Sequence, residues 1–95
     1  MSAVLVIAKL EFTDVERYRK YQAAFPAVFA TSGGEVLAAD EAPELLSGHP
    51  ADKVVVMRFP DKATATTFLT SPEYEAIGRD RDAGAATQSW MVNAL

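Results

Sequence analysis

The sequence has 95 residues, of which 49% are hydrophobic and 23% are charged, a balance typical of a globular protein and not of a disordered chain. Its net charge of −4 argues against nucleic acid and anionic membranes as partners, and the absence of cysteine excludes disulfides and thiol nucleophiles. No apolar run reaches the roughly 18 residues of a membrane span, so we expect residues 1–95 to form one cytoplasmic domain.

The chain begins with a predicted strand and a predicted helix. Val4–Phe12 is rich in β-branched and aliphatic residues, which favours a strand. Thr13–Glu16 has the spacing of a capping box, and apolar residues follow it at helical steps of three and four. Pro26 lies inside this pattern and predicts a kink or break, because its nitrogen cannot donate the helical hydrogen bond. Gly33–Gly34 predicts the helix end, with one glycine in the left-handed conformation.

The middle of the chain predicts a short strand, an irregular stretch and a third strand. Glu35–Ala39 is the short strand, and Asp40–Asp52 contains the proline and glycine breakers of a loop. Lys53–Pro60 has three consecutive valines and apolar residues on both alternating faces. Successive side chains of a strand point to opposite faces of the sheet, so this third strand needs cover on both sides.

The last third of the chain predicts two helical segments and a final strand. Asp61 is placed to cap a short helix. In Ser71–Tyr74, serine caps a further helix, proline suits its first position and glutamate faces the positive end of the helix dipole. Gly84–Ala86 then leads into a last strand, Gln88–Ala94, which carries Trp90 on one face.

This order of elements predicts an α+β fold, a ferredoxin-like βαββαβ sandwich with a four-stranded antiparallel sheet. Both helices of such a fold lie on one face of the sheet, and the other face is left bare. Val54 and Val56 point to one face and Val55, Met57 and Phe59 to the other, so the bare face would be an unusually large apolar patch. We therefore expect a second copy of the chain to cover it, giving a homodimer.

The order of elements and three local patterns resemble a family of small bacterial proteins whose function is unknown. These patterns are the Tyr18–Gly34 helix with its internal proline, the Val54–Pro60 strand and the Ser71–Tyr74 helix start. The family is part of the dimeric α/β-barrel superfamily, which includes antibiotic-biosynthesis monooxygenases, muconolactone isomerases and haem-degrading enzymes. The resemblance implies a homodimer whose two sheets form a barrel, with a cavity in each subunit between sheet and helices.

His49 and Arg58 are the candidates for catalysis. His49 is the only histidine and could act as a general base, or it could lie in a surface loop. Arg58 interrupts an apolar strand, where it could bind a substrate carboxylate or form an ion pair with Glu11 or with a partner chain. The similar family more often has an acidic residue at this position. No second ligand accompanies His49 at a metal-site spacing, so we expect neither a metal nor a cofactor.

The aromatic residues are candidates for the wall of an apolar pocket. Tyr18, Tyr74 and Trp90 are the most informative, because a buried hydroxyl or indole N–H needs a hydrogen-bond partner. The alternative is that these side chains belong to the core. A pocket that combines apolar walls with a few polar groups would suit a small apolar ligand.

Three functional hypotheses follow from these residues and from the resemblance. The first is a cofactor-free oxygenase or isomerase that acts on a small apolar molecule in the sheet–helix cavity. The second is a small-molecule-binding or stress-related module without catalysis, and the third is a purely structural dimerisation domain, which would have no cavity. Because one fold hosts many chemistries, the resemblance alone does not choose among them.

Overall fold

The structure is a computed structural model, and it describes residues 2–95. This part of the chain contains four strands and three helices. In chain order they are β1 (Val4–Phe12), α1 (Val15–Phe29), β2 (Glu35–Asp40), β3 (Lys53–Phe59), α2 (Lys62–Leu69), α3 (Pro72–Gly84) and β4 (Ala85–Asn93). The sheet is antiparallel with the strand order β2-β3-β1-β4. The predicted ferredoxin-like fold is confirmed.

The start and course of α1 differ from the sequence prediction. Asp14 caps the helix by accepting a 3.3 Å hydrogen bond from the Arg17 amide, so the capping box predicted from Thr13 is wrong. The Thr13 amide instead donates to the carbonyl of Gly84 at 2.9 Å. Helical structure continues through Pro26 to the end of α1, so the predicted break does not occur. A proline near a helix end removes only one hydrogen bond.

Two glycines after α1 meet two different requirements. Gly33 has a φ of 81°, which confirms the predicted left-handed residue. Gly34 lies against the ring of Phe59, and a Cβ there would stand 2.6 Å from the Phe59 Cε1 atom. The pair therefore turns the chain and also lets the backbone approach β3 closely.

The predicted caps of the later helices are confirmed. Asp61 accepts a 2.7 Å hydrogen bond from the Thr64 amide, and the Ser71 hydroxyl accepts one of 3.2 Å from the Tyr74 amide. The last strand starts directly after Gly84, earlier than the predicted Gln88.

The two faces of the sheet have different surroundings. The inner face packs against the helices, and its most buried side chains are Val4, Val6, Leu10, Met57 and Phe59. The outer face carries the alternate residues of β1, β3 and β4. They include the apolar Leu5, Ile7, Val54, Val56, Trp90 and Val92 and the polar Lys9, Arg58 and Gln88. Trp90 is 50% exposed and Val92 40% exposed. In one chain, the outer face is thus an uncovered apolar surface.

Candidate functional site

A cavity of about 520 Å³ lies between the inner face of the sheet and helices α1 and α3. Its floor is apolar and is formed by Val6, Ala8, Leu10, Val55 and Met57. The register puts Val55 beside Ala8 and Met57 beside Val6, so two neighbouring central strands supply the floor together. Period-two alternation therefore gives this cavity a continuous hydrophobic base.

Aromatic residues at helical spacing form the roof of the cavity. Tyr18, Tyr21 and Phe25 of α1 all line it, at steps of three and four residues. The ring centroids of Tyr18 and Tyr21 are 5.6 Å apart, and those of Tyr21 and Phe25 are 5.8 Å apart. Such a row offers flat apolar surfaces to a bound molecule.

The cavity opens between α1 and the edge strand β2. Pro26 of α1 lines it although this residue is exposed. On the other side, Val36 of β2 also lines it and is 43% exposed. The cavity is therefore open to solvent beside β2.

Three polar side chains meet inside this apolar space, and we call them the tyrosine–arginine cluster: Tyr21, Tyr74 and Arg81. Arg81 Nη1 donates a 2.5 Å hydrogen bond to the Tyr74 hydroxyl, which is 3.2 Å from the Tyr21 hydroxyl. The guanidinium carbon lies 5.5 Å from the Tyr21 ring centre and 5.4 Å from that of Tyr74. The Arg81 side chain is 22% exposed. The cluster thus concentrates hydrogen-bond donors and one positive charge at the cavity wall.

Burial sets the protonation state of Tyr21 in this cluster. Burial and the neighbouring Tyr74 raise the pKa of the Tyr21 hydroxyl well above its ordinary value. Tyr21 therefore remains a neutral hydroxyl at physiological pH. Together with Arg81, it can donate hydrogen bonds to an oxygen that gains negative charge.

A second cation, Lys53, lines the same cavity. Its side chain is 6% exposed, and its ammonium nitrogen lies 5.0 Å from the centre of the Tyr18 ring and 3.4 Å from Glu41 Oε2. Glu41 is itself held by Arg19, whose Nη1 and Nη2 donate to Oε2 and Oε1 at 2.5 and 2.7 Å. These bonds from Arg19 lower the pKa of Glu41 to about 2. The loop after β2 is thereby tied to α1 beside the buried lysine.

The structure brings together only some of the residues that the sequence singled out. Tyr18 and Tyr74 both line the cavity and are buried. Trp90 lies on the outer face, which corrects its expected position as a pocket wall. The physical reason is strand alternation: Trp90 pairs with Ile7 on the outer face, whereas the cavity floor uses the opposite face.

Arg58 and His49 also lie outside the cavity. Arg58 points to the outer face with a 47% exposed side chain, and its nearest carboxylate is Glu35 at 4.0 Å. The expected ion pair with Glu11 is corrected, because Glu35 is the direct cross-strand neighbour of Arg58. His49 is an exposed loop residue. Neither side chain is brought to Tyr18 and Tyr74.

Lys53 and Arg81 were not recognised as site residues from the sequence, although each carried a signal. Lys53 precedes Val55 and Met57 by even steps, so alternation places it on the buried face. Arg81 follows Tyr74 by seven residues, which puts both on one side of a helix. Within residues 2–95, no group of three or more His, Asp or Glu side chains is placed to hold a metal ion.

A known family matches nearly the whole chain. The family described as "Domain of unknown function (DUF1330)" matches residues 3–95, which confirms the resemblance seen in the sequence. No curated protein matches the sequence. None of the helices in the described part of the chain is long and apolar enough to cross a membrane.

Solved structures share the fold at low sequence identity. A protein of unknown function from Rhodopseudomonas palustris is 18% identical with a TM-score of 0.84, over 99% of this chain and 83% of that one. SnoaB, a cofactor-independent oxygenase from Streptomyces nogalater, is 14% identical with a TM-score of 0.75, over 100% and 95%. A dimeric protein of unknown function with a ferredoxin-like fold, from Bacteroides fragilis, is 13% identical with a TM-score of 0.69, over 99% and 98%.

Proposed function

This chain belongs to the DUF1330 family, a domain of unknown function, and we propose that its cavity binds a small, largely apolar molecule. The activity we propose is a cofactor-free isomerisation or oxygenation of that molecule, carried out by a homodimer. The observation that carries this proposal is the tyrosine–arginine cluster at the wall of an apolar cavity. Preorganised donors in a water-poor site stabilise charge that develops during a reaction.

The shared first step of both reactions is transfer of a proton from a carbon next to a carbonyl group to the carboxylate of Asp82, which lines the cavity. The electron pair left on carbon delocalises onto the carbonyl oxygen, which becomes an enolate oxygen. Arg81 and the hydroxyls of Tyr21 and Tyr74 can donate hydrogen bonds to that oxygen. In an isomerase, the proton returns to a different carbon, so the reaction needs no redox partner.

In an oxygenase, molecular oxygen is the co-substrate. The enolate carbon forms a bond to one atom of the oxygen molecule. In the overall reaction this carbon changes from a CH₂ group to a carbonyl group, and the other oxygen atom leaves as water with the two hydrogens. SnoaB shows that a protein of this fold is a cofactor-independent oxygenase. At 14% identity this likeness shows the fold alone, so it supports the proposal only as precedent.

A homodimer follows from the outer face of the sheet. Leu5, Ile7, Val54 and Val56 lie there beside the half-exposed Trp90. An apolar patch of this kind marks an interaction surface. A second copy packed through a two-fold axis would cover both patches at once. The similar protein from Bacteroides fragilis is dimeric, which supports this assembly.

A binding module without catalysis is the second candidate, and one observation favours it. Among the described residues that line the cavity, Asp82 is the only carboxylate, and its side chain is 69% exposed. Because the pKa of Tyr21 is raised, its hydroxyl stays protonated at physiological pH and cannot accept the proton. A protein that only binds would need no base, so turnover is the property that separates the two candidates.

The test begins with the molecule that the protein carries. Mass spectrometry of an acid-denatured extract should detect a small molecule in stoichiometric amount, and Arg81→Met should reduce its retention, with Arg79→Met as the matched control. Arg79 lies on the same helix and is exposed. That molecule is then incubated with the protein while oxygen uptake and product mass are followed. Retention without turnover would establish the binding module, and equal retention in both variants would overturn the proposed site.

A further inference from the structure

The geometry points to an anionic ligand: we propose that the cavity takes a compact, planar, apolar acid whose carboxylate is held by Lys53 and Thr87. This inference rests on the proposed function of the same cavity and specifies its substrate class. It assigns an anchoring role to two residues that are separate from the tyrosine–arginine cluster. The cluster then faces the part of the ligand that reacts, and Lys53 holds the part that does not.

Lys53 has more hydrogen-bonding capacity than its surroundings use. An ammonium group carries three donors. Within residues 2–95, the one hydrogen bond of Lys53 goes to Glu41 at 3.4 Å, which is longer than the usual 2.7–3.2 Å of N–H···O bonds. The side chain is 6% exposed, so bulk water has little access. A buried ammonium in this state favours an additional anionic partner.

The charge of Lys53 is only partly balanced by its carboxylate neighbour. Both oxygens of Glu41 accept hydrogen bonds from Arg19, at 2.5 and 2.7 Å. Two cations therefore share one carboxylate, and the group of three carries a net charge of +1. Because Arg19 has the shorter contacts, the remaining positive charge is concentrated at Lys53, on the cavity side.

Thr87 supplies an independent observation. Its Oγ1 atom is buried and has no hydrogen-bond partner among residues 2–95, and Thr87 lines the same cavity. Buried hydroxyls normally have a partner, and leaving one without a partner costs stability. A ligand in the cavity can supply the hydrogen-bond partner that this hydroxyl lacks.

The sheet register brings these two residues into one row. Leu10 pairs with Lys53 on one side and with Thr87 on the other. Since neighbouring strands are about 4.8 Å apart, the Cα atoms of Lys53 and Thr87 are separated by roughly 10 Å. Both side chains rise on the inner face, and the long, flexible lysine can lean across Leu10. One carboxylate can therefore accept from the ammonium and from the threonine hydroxyl.

The remainder of the cavity determines what the acid carries. Ala8, Val55 and Met57 provide a flat apolar floor, and the Tyr18 ring stands beside the lysine nitrogen at 5.0 Å. A planar ring fits between such a floor and such a roof, with its acidic group directed at Lys53. The ligand class is thus an aromatic or conjugated acid that can enter beside β2.

The experiment uses 2-naphthoate and its neutral isostere 2-naphthamide, titrated calorimetrically into the full chain at pH 7.5. We expect the wild type to bind naphthoate about 10- to 100-fold more tightly than naphthamide, the range expected for a hydrogen bond to a charged group. Lys53→Met should bring this ratio to about one, while Lys20→Met should preserve it. Lys20 is an exposed residue on α1 and serves as the matched control. Lys53→Gln is measured in parallel, in case the methionine variant does not fold.

Thr87→Val and Thr87→Ser test the second anchor. Valine should weaken naphthoate binding by about fivefold with little change for naphthamide, as expected for one lost hydrogen bond, and serine should retain most of the affinity. Equal binding of the two probes by the wild type would overturn this inference while leaving the proposed cavity function intact. Binding of neither probe would also overturn this inference, whereas the proposed function is overturned separately, by equal ligand retention in Arg81→Met and Arg79→Met. A naphthoate preference that survives both lysine substitutions would exclude Lys53 as the anchor.

Discussion

Arg81 Nη1 donates a 2.5 Å hydrogen bond to the hydroxyl of Tyr74, which lies two helical turns earlier on the same side of α3. The arginine is held over the cavity in this way instead of extending into solvent. Its second contact is with Asp82, at 3.2 Å from Nη2. The orientation of Arg81 towards the cavity therefore depends on a tyrosine that also packs in the core.

A double-mutant cycle should detect this dependence in the free protein. We expect Arg81→Met and Tyr74→Phe to be coupled by about 1–2 kcal/mol in the free energy of unfolding, because the bond has a charged donor. Urea denaturation of both single variants and of the double variant measures this coupling. Arg79→Met with Tyr74→Phe should be additive, and additivity of the Arg81 cycle would contradict the structure.

The Arg19–Glu41 ion pair predicts a loss of stability in acid. The pKa of Glu41 is about 2 in the folded chain, against an ordinary 4.5. Its carboxylate therefore stabilises the fold above pH 4.5, and this contribution disappears as pH falls from about 5 towards 2. Stability measured by urea titration across that range should change less in Glu41→Gln than in wild type. Glu44→Gln, which alters an exposed carboxylate of the same loop, should retain the wild-type profile.

Alanine substitutions at Gly84 and at Gly78 of α3 should change the stability of the protein in opposite directions. A Cβ at Gly84 would lie 2.7 Å from the Asp14 carbonyl oxygen and would also meet the Tyr18 backbone. We expect Gly84→Ala to destabilise the protein by about 3 kcal/mol, as overpacking against backbone does. Gly78→Ala meets only the Arg81 side chain, at 3.4 Å, and should stabilise the helix by about 0.5–1 kcal/mol. Thermal unfolding of the two variants distinguishes them, and similar melting temperatures would contradict this packing.

Removal of the unpaired hydroxyl should stabilise the free protein. Thr87→Val replaces a buried hydroxyl that has no partner in the described residues with a methyl group of similar size. We expect a gain of about 1 kcal/mol in the free energy of unfolding, measured with urea in ligand-free protein. Thr67→Val, on an exposed part of α2, should change stability by less than about 0.5 kcal/mol. A destabilised Thr87→Val would show that the hydroxyl has a partner in solution.

The outer face predicts a mass of two chains in solution. Trp90→Asp places a charge within the proposed interface, on the edge strand β4, and should yield monomers in sedimentation equilibrium at micromolar concentration, because an unpaired buried charge is costly. Val15→Asp is the control, since Val15 is 42% exposed on the helical side of the molecule. A wild-type mass of one chain would remove the support for the dimer.

Local features of this fold could be predicted because neighbouring residues decide them. Asp61 and Ser71 cap their helices through amides three residues later, and Gly33 takes the left-handed conformation that the helix end requires. The α1 cap was missed because Thr13 and Asp14 are both good caps. The choice between them depends on Gly84, whose carbonyl binds the Thr13 amide at 2.9 Å.

The sequence by itself determined the order of elements, the alternation of the strands and the need to cover two faces of one sheet, since these follow from periodicity along the chain. Only the tertiary structure decided which alternate face carries the cavity. That choice separates Trp90 and Arg58 from Tyr18. It also brings Lys53 next to Glu41 and Arg81 next to Tyr21, contacts that depend on strand register and on helix packing. Side chains that are distant in the sequence come into contact only when packing fixes the strands or helices that carry them. The candidate site consists of contacts of this kind.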